Sequence, residues 1–317
     1  MVPQGNEVVG RELSLYLIDY LLRNYQTLDG VHNFVNGVRL HIAPSINPDG
    51  YEDAVEGDCD GTKGRENANQ VDLNRSFPDQ FGRQDYDHAE PETTSVIRWT
   101  QSEPFVLSVA LHGGALVVNY PFDSNAISAN QYSISPDDEI FRYLAKVYST
   151  NHGQMKTGKC GDRCTSGEDE FAFKDDGITN GAAWYPINGG MQDWNYLQAD
   201  CLELTIETGC HKYPSSAQLA GYLFENLNPL VKLIQSVHIG VRGFVFSPKG
   251  KPIENAVIVV EGIAKNVTTH KMGDYWRLLT PNMQYTISVH KAGYLSQSIK
   301  VFIEQLYTLN FTLYSSS

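Results

Sequence analysis

The chain has 317 residues, 41% hydrophobic and 19% charged, with a net charge of −13 and a pI of about 5.1. This length suits two folded domains, and the acidic balance argues against nucleic acid or an anionic membrane as the main partner, because both attract basic surfaces. No apolar run reaches the roughly 18 residues of a membrane span. The N-terminus has no basic region followed by an apolar stretch, so no signal peptide is visible.

Apolar periodicity predicts a largely α/β first part of the chain. Helices are predicted at residues 8–26, 95–102, 137–150 and 216–238. The first helix would carry Glu7 in its first turn, and Pro229 marks a candidate interruption of the last helix. Strands are predicted at residues 38–45, 104–111 and 201–210. The second strand is almost wholly apolar, which is typical of a strand buried on both faces of a mostly parallel sheet.

Turns and loops punctuate these elements. The stretch INPDGYE at residues 46–52 is predicted to be a turn, and residues 55–87 form a polar loop rich in Gly, Asn, Asp and Arg. A loop of that length in a compact domain is more often functional than not. After His238, short alternating strands separated by turn residues predict a small β-sandwich. We therefore expect an α/β domain at 1–237 and an all-β sandwich at 238–317.

Several polar residues fall where an open α/β sheet places its ligand site, beyond the carboxyl ends of the strands. His112 directly follows one predicted strand, and Glu207 lies near the end of another. The polar loop adds side chains suited to a carboxylate or phosphate ligand, namely Arg65, Asn74 and Arg75. Each of these alone is more often a structural or surface residue. The combination of Glu7, His112 and Glu207 nevertheless indicates a metal-dependent hydrolase.

Seven motifs in order resemble the zinc metallocarboxypeptidases, in particular the regulatory subgroup that includes carboxypeptidases D, E, M and N. The motifs are GNEVVGRE, INPDGYE, DLNRSFPDQF, FVLSVALHGGALVVNYPFD, GITNGAAWY, GGMQDWNYL and LTIETGCHKYP. The resemblance runs from Gly5 essentially to the C-terminus. It implies an α/β fold with a mixed, mostly parallel sheet flanked by helices, followed by an all-β transthyretin-like sandwich.

The resemblance also implies a zinc centre and a reaction. Glu7 and His112 match two zinc ligands of the family, and Glu207 matches its catalytic glutamate. Arg65 matches the arginine that polarises the scissile carbonyl. Zinc makes hydroxide accessible near neutral pH, and a carboxylate such as Glu207 would move the proton from water to the leaving amine.

Other matched residues imply how a peptide would be held. Asn74 and Arg75 match the pair that binds the terminal carboxylate, which restricts cleavage to the last residue. Tyr185 matches the tyrosine that closes over the substrate. A pocket for a basic side chain is implied by Asp123, Gln192 and Asn119. A buried Asp123 would favour Lys or Arg, because an unpaired buried carboxylate is costly.

The expected function is therefore that of a zinc-dependent exopeptidase that releases C-terminal Lys or Arg from peptides and proteins, as in peptide or prohormone processing. The expected partners are such peptides, with no nucleic acid and no membrane span. The family implies a secretory or extracellular location, which the sequons at Asn266 and Asn310 also favour. A third sequon match, at Asn74, is of a kind that often arises by chance.

Five cysteines add to this expectation, namely Cys59, Cys160, Cys164, Cys201 and Cys210. No pair of CxxC motifs is present, which argues against a structural zinc site of that type. We expect one or two disulfides and an odd thiol. The sequence does not assign the pairs, and Cys160 with Cys210 is one pairing considered.

The pattern breaks at its first ligand, because Gln4 stands where the family has a zinc-binding His. A neutral amide is a weak zinc ligand beside imidazole, so zinc binding is expected to be weakened. The family also carries further residues ahead of this motif, which supply early strands of the sheet. Without such strands, we expect exposed edge backbone and apolar surface that favour aggregation.

Three explanations for the break remain open. A mis-predicted or alternative first exon places residues 1–4 where the family's own segment would stand. Alternatively, the chain is a genuine truncated isoform, or it is an inactive homologue that binds peptides or partners without cutting them. The last alternative includes an interaction module whose binding does not depend on Glu207. The retention of Glu207, Arg65, Arg75 and Tyr185 favours the first two explanations over the third.

Overall fold

A four-stranded sheet with helices packed against it forms the first part of the molecule. The computed structural model describes residues 1, 3–82, 89–157, 164 and 176–316. The helices are α1 (Val9–Asn24), α2 (Asp29–Gly37), α3 (Pro48–Asp53), α4 (Pro91–Ser102), α5 (Asp138–Asn151), α6 (Gly181–Trp184), α7 (Met191–Gln198) and α8 (Leu219–Gln235). The strands of this sheet are β1 (Leu107–His112), β2 (Ala115–Tyr120), β3 (Ile178–Asn180) and β4 (Leu202–Gly209).

The sheet has the order β1-β4-β2-β3, in which β1 pairs with β4 and β2 with β3 in parallel, whereas β2 and β4 are antiparallel. This confirms the expected mixed, mostly parallel sheet. Strand β4 is buried along its whole length because it lies in the interior of the sheet with helices against it. Helices α1, α5 and α8 pack on one another and bury the main apolar core, which includes Leu13, Phe141 and Leu233.

Strand β1 lies at the edge of the sheet, and among the described residues Met1 pairs with part of its outer side. The amino group of Met1 donates to the carbonyl of Val109 at 2.8 Å, and the Met1 carbonyl accepts from the amide of Leu111 at 2.8 Å. An apolar groove of about 410 Å³ runs beside this edge, between β1 and residues 37–43. The groove places apolar side chains beside the outer edge of β1, and exposed sheet edges favour association.

Three local predictions were wrong. Residues 38–45 form no strand, because none of the strands in the described part of the chain pairs with them; residues 38–43 line the groove instead. The predicted turn at 46–52 contains helix α3, which Asn47 caps by accepting from the amide of Gly50 at 2.9 Å, with Pro48 at the first helical position. Pro229 does not interrupt α8, which continues through it.

The second part of the molecule is an all-β sandwich, as predicted. Its strands are β5 (Gly240–Phe246), β6 (Val257–Val260), β7 (Val267–Thr268), β8 (Asp274–Arg277), β9 (Met283–His290), β10 (Gln297–Ile303), β11 (Leu306–Thr308) and β12 (Phe311–Thr312). One sheet has the order β10-β9-β6-β7, and the other places β5 between β11 and β12 and pairs it with β8. Alternating inward residues such as Val245, Ile258 and Ile287 fill the space between the sheets. The domain boundary at 237/238 remains a prediction.

Charged side chains join the sandwich to the first part. Arg277, at the end of β8, donates to Asp137 just before α5 at 2.6 Å, and both side chains are almost fully buried. The second Asp137 oxygen accepts from the hydroxyl of Tyr196 on α7 at 2.9 Å. Lys265 donates to Asp200, immediately beyond α7, at 2.6 Å. Helix α7 is therefore tied to the sandwich near its C-terminal end.

Candidate active site

A cleft of about 130 Å³ opens at the carboxyl ends of β1 and β4. Its lining includes nine of the residues predicted from the sequence, namely Glu7, Arg65, Asn74, Arg75, His112, Asn119, Asp123, Tyr185 and Glu207. Residues that are more than 100 positions apart thus converge on one site, as expected for a ligand site beyond the strand ends of an α/β sheet.

Strand pairing brings His112 and Glu207 together. Strands β1 and β4 run in parallel with His112 in register with Glu207, so both side chains emerge at the same end of the sheet. Both residues are buried, and the His112 Nε2 and Glu207 Oε2 atoms have no hydrogen-bond partner among the described residues. Buried polar atoms are almost always paired in folded proteins, so two such atoms in one cleft indicate a place for a ligand.

Glu7 completes the group of ligand atoms. It lies in the turn ahead of α1, two residues before the helix begins, rather than in the first helical turn as predicted. Its Oε2 atom lies 2.8 Å from His112 Nδ1 and accepts from the amide of Gly113 at 3.2 Å. The ligand atoms of Glu7, His112 and Glu207 all lie within 4.8 Å of one another. One imidazole and two carboxylates at this separation fit a divalent cation.

Asp72 organises the opposite wall of the cleft, and the sequence interpretation overlooked it. Arg65 donates to Asp72 Oδ2 at 2.9 Å and to Glu7 Oε1 at 3.1 Å, which holds its guanidinium beside the candidate metal ligands. The other Asp72 oxygen accepts from Gln4 Nε2 at 3.1 Å and from the amide of Asn74 at 3.0 Å. The signal for Asp72 in the sequence was its position two residues before Asn74 in the DLNRSF motif.

The candidate carboxylate-binding pair lies on a short turn of 3₁₀ helix at Leu73–Arg75. Asn74 Oδ1 accepts from the amide of Met191 at 3.0 Å, which fixes the side-chain amide, and the guanidinium of Arg75 lines the cleft while donating to the Asn74 carbonyl at 2.9 Å. Asn74 is buried, so the sequon match at this position is not an accessible glycosylation site.

The candidate pocket for a basic side chain is built around Asp123. Asn119 and Gln192 each donate to Asp123 Oδ1 at 2.9 Å. Gln192 also accepts from the amide of Thr205 at 2.8 Å and lies behind Asp123, not on the cleft surface as predicted. The lack of a side chain at Gly181 leaves room beside this carboxylate, since a Cβ atom there would lie 1.9 Å from Asp123 Oδ1.

Burial and neighbouring charges shift the pKa values of these carboxyl groups in different directions. Burial and the nearby charge of Glu7 raise the pKa of Glu207 well above its usual value. Although burial opposes ionisation, His112 and then Arg65 lower the pKa of Glu7. Burial raises the pKa of Asp123 to about 6, and Asn119 and Arg75 act against that rise. Perturbed carboxyl groups in one cleft are typical of functional sites.

Two further residues complete the cleft. Tyr185 lies at the end of α6 with 43% of its surface exposed, so its ring is accessible at the rim. Lys212, which the sequence interpretation did not single out, also lines the cleft. Its positive charge contributes to the lowered pKa of Glu7 and partly opposes the rise in the pKa of Glu207. Its carbonyl accepts from the amide of Val8 at 3.1 Å, which joins the end of β4 to the start of α1.

The cysteines are consistent with an oxidised protein. Cys59 and Cys164 form a disulfide, Cys210 is disulfide-bonded, and Cys201 is a buried free thiol. The pairing of Cys160 with Cys210 involves a residue that lies outside the described ones. Among the described helices, none is long and apolar enough to cross a membrane.

Comparison with known proteins identifies both parts of the chain. The zinc carboxypeptidase family matches residues 3–228, and the carboxypeptidase regulatory-like domain matches residues 240–314. Among solved structures, thrombin activatable fibrinolysis inhibitor is 17% identical in sequence, and its fold matches 73% of this chain and 59% of its own with a TM-score of 0.53. The bovine protein in complex with tick carboxypeptidase inhibitor gives 14% identity over 73% of this chain and 78% of its own, with a TM-score of 0.51.

Curated relatives are much closer in sequence. Carboxypeptidase D of Homo sapiens is 48% identical over 316 residues, which is 99% of this chain but 22% of the relative. Carboxypeptidase M of Mus musculus is 42% identical over 94% of this chain and 67% of its own length. The chain thus spans about a fifth of the length of the carboxypeptidase D proteins that it matches. These matches, together with the convergence of the predicted residues in one cleft, show that the chain belongs to the zinc carboxypeptidase family, in the subgroup of carboxypeptidase D.

Proposed function

We propose that the cleft binds peptides ending in Lys or Arg and releases that residue by zinc-dependent hydrolysis. The observation that carries this proposal is the convergence of candidate metal ligands, a candidate proton carrier, a carboxylate-binding pair and a buried acidic pocket in one cleft. Glu7 and His112 would hold the zinc ion. When bound, zinc supplies Lewis-acid activation of water and of the scissile carbonyl.

Positioning of the peptide follows from the charges on the cleft walls. The guanidinium of Arg75 and the side-chain amide of Asn74 would bind the terminal carboxylate, so that only the last residue fits beyond the scissile bond. Asp123 would pair with the cationic side chain of that residue. An apolar end residue would leave Asp123 buried without a partner, which is the basis of the proposed selectivity.

Proton transfer and charge stabilisation follow from two other residues. Glu207 would take a proton from the attacking water and deliver it to the leaving amine, since its carboxylate lines the cleft beside the candidate metal ligands. Arg65 would face the carbonyl oxygen as negative charge develops on it. Tyr185, exposed at the rim, would close over the bound peptide.

Gln4 favours a second candidate function, which is peptide binding without turnover. Its amide nitrogen donates to Asp72, and the side chain is not among those that line the cleft. Gln4 also has no imidazole, which the family uses as a zinc ligand at this position. The carboxylate-binding pair and the Asp123 pocket do not depend on that ligand. A chain with weakened zinc binding would therefore retain peptide recognition.

We also propose a secretory or extracellular location. The disulfide between Cys59 and Cys164 supports an oxidising compartment, and both sequon asparagines in the sandwich, Asn266 and Asn310, are exposed.

The decisive experiment compares the chain as it stands with Gln4→His and with Gln4→His/Glu207→Gln. A dansylated peptide ending in Arg would report turnover, and its C-terminally amidated form is the matched control. We expect Gln4→His to cleave only the free-acid peptide and Glu207→Gln to abolish cleavage. If Gln4→His folds, contains zinc and binds the peptide but releases no Arg, the peptidase proposal is wrong and binding without turnover is the better description.

A further inference from the structure

The side-chain nitrogen of Gln4 is engaged with Asp72 and not with the candidate metal ligands. Gln4 is fully buried, its Nε2 donates to Asp72 at 3.1 Å, and its Oε1 has no hydrogen-bond partner among the described residues. Asp72 is itself fixed by Arg65 and by the amide of Asn74. Turning the Gln4 amide toward Glu7 and His112 would therefore remove a hydrogen bond to a carboxylate, which is among the stronger kinds. Glu7 and His112 remain as donors, and two donors hold zinc poorly, since protein zinc sites use three or four.

A third donor is already in place on β4. Glu207 is buried, its Oε2 atom has no hydrogen-bond partner among the described residues, and it belongs to the group of three ligand atoms that lie within 4.8 Å of one another. The His112 Nε2 atom is likewise buried and without a partner among the residues described. The in-register pairing of β1 with β4 fixes the spacing of these two side chains through the sheet.

We infer that, in the substrate-free chain, Glu207 is the third protein ligand of the metal, so that the site has one imidazole and two carboxylates: His112, Glu7 and Glu207. This inference deepens the proposed function and rests on it only for the presence of a metal ion. Donor atoms around a tetrahedral ion lie about 3.4 Å apart when the bonds are about 2.1 Å long. Metal binding would therefore require these donor atoms to approach one another from separations of up to 4.8 Å.

Charge favours the same arrangement. Two carboxylates buried side by side repel each other, and a divalent cation between Glu7 and Glu207 neutralises both. It also supplies a partner for the unpaired Oε2 atom of Glu207. Because Glu207 would be both ligand and proton carrier, it must leave the metal before it can act on water. The chain would therefore bind metal but cleave peptides slowly. This behaviour is intermediate between the peptidase function and the function of peptide binding without turnover.

A site with two carboxylates differs in metal preference from one with two imidazoles. Carboxylates suit harder cations such as Mn²⁺, whereas imidazole suits Zn²⁺. The preference for Zn²⁺ over Mn²⁺ should thus be smaller in this chain than in Gln4→His, in which a second imidazole replaces Glu207 as the ligand.

The test is a double-mutant cycle in metal affinity, measured by calorimetric titration of metal-free protein with ZnCl₂ and with MnCl₂. The proteins are the chain as it stands, Glu207→Gln, Gln4→His and Gln4→His/Glu207→Gln. We expect Glu207→Gln to weaken Zn²⁺ binding by more than about 100-fold in the chain as it stands, because loss of a residue behind a ligand already costs about 10–100-fold. In the Gln4→His background the same change should alter affinity by less than about threefold, within the error of additivity.

Controls separate the competing explanations. Gln4→Met tests whether the amide oxygen of Gln4 binds the metal; a large loss of affinity in this variant, with none in Glu207→Gln, would overturn the inference. Thermal melts of the metal-free variants show whether each is folded. X-ray absorption of the zinc-loaded chain should show one imidazole, and that of Gln4→His should show two.

Zinc affinity tests the ligand role of Glu207, and peptide cleavage by Gln4→His tests the peptidase function. Equal effects of Glu207→Gln in both backgrounds, or no zinc binding except in Gln4→His, would overturn the ligand role of Glu207 and leave the peptidase proposal standing. Zinc binding that depends on Glu207, together with no cleavage by Gln4→His, would support the ligand role and refute the peptidase proposal.

Discussion

The buried ion pair between Arg277 and Asp137 should contribute measurably to the free energy of unfolding. The guanidinium and the carboxylate are 2.6 Å apart, and their side chains are 1% and 0% exposed. Arg277→Met removes the positive charge but keeps an unbranched side chain of similar length. Asp137 then remains buried at the junction between the sandwich and α5, with the hydroxyl of Tyr196 as its remaining side-chain donor.

The expected cost lies at the lower end of the range for breaking a buried pair. Removal of one partner typically costs about 3–5 kcal/mol, because the other charge is left buried without compensation. Asp137 keeps its bond to Tyr196 and lies at the N-terminus of α5, where the helix dipole favours a negative charge. We therefore expect Arg277→Met to lower the free energy of unfolding by about 3 kcal/mol.

Urea unfolding followed by circular dichroism measures this loss, and Arg277→Met/Asp137→Asn is the matched control. The double variant buries no net charge, and Asn can still accept from the hydroxyl of Tyr196, so the double variant should recover most of the lost stability. A loss below about 1 kcal/mol in the single variant, the range of a surface ion pair, would refute the reasoning. So would a double variant no more stable than the single one.

Three further predictions concern pH, the disulfide and the sheet edge. Burial raises the pKa of Asp123 to about 6, so the carboxyl becomes neutral below that pH. Affinity for a peptide ending in Arg should therefore fall at low pH, whereas affinity for a peptide ending in Leu should not. The same dependence of affinity on pH for both peptides would contradict this. Cys59→Ser/Cys164→Ser opens a link spanning 105 positions and should lower the free energy of unfolding by about 2–5 kcal/mol in urea titrations; an unchanged free energy of unfolding would contradict this. Leu107→Lys on the open edge of β1 should reduce concentration-dependent light scattering, and unchanged scattering would show that this edge does not drive association.

Most members of the candidate site could be identified from the sequence, because the residue types and their order carry that information. His112 and Glu207 end strands whose apolar character is visible without a structure, and the carboxyl ends of parallel strands meet at one edge of a sheet. The polar loop with Arg65 and Arg75 was similarly visible as a long irregular segment. Helix periodicity likewise located α1, α5 and α8, since each buries one apolar face.

Tertiary structure decided every feature that depends on a partner distant in the chain. Residues 38–45 have the composition of a strand but no neighbouring strand, and strand structure requires hydrogen bonds from outside the segment. Gln192 belongs to a pocket motif, yet it lies behind Asp123 because its oxygen accepts from the amide of Thr205 on β4.

The same distinction applies to the metal site. The order of the residues is enough to show that Gln4 replaces a family ligand and that Glu7, His112 and Glu207 are present. Only the folded chain decided that Asp72 engages the Gln4 amide and that Glu207 faces the candidate ligands without a hydrogen-bond partner among the described residues. Local sequence determines which groups a segment carries, whereas the competition among distant donors and acceptors for each group is settled only by the packing of the whole chain.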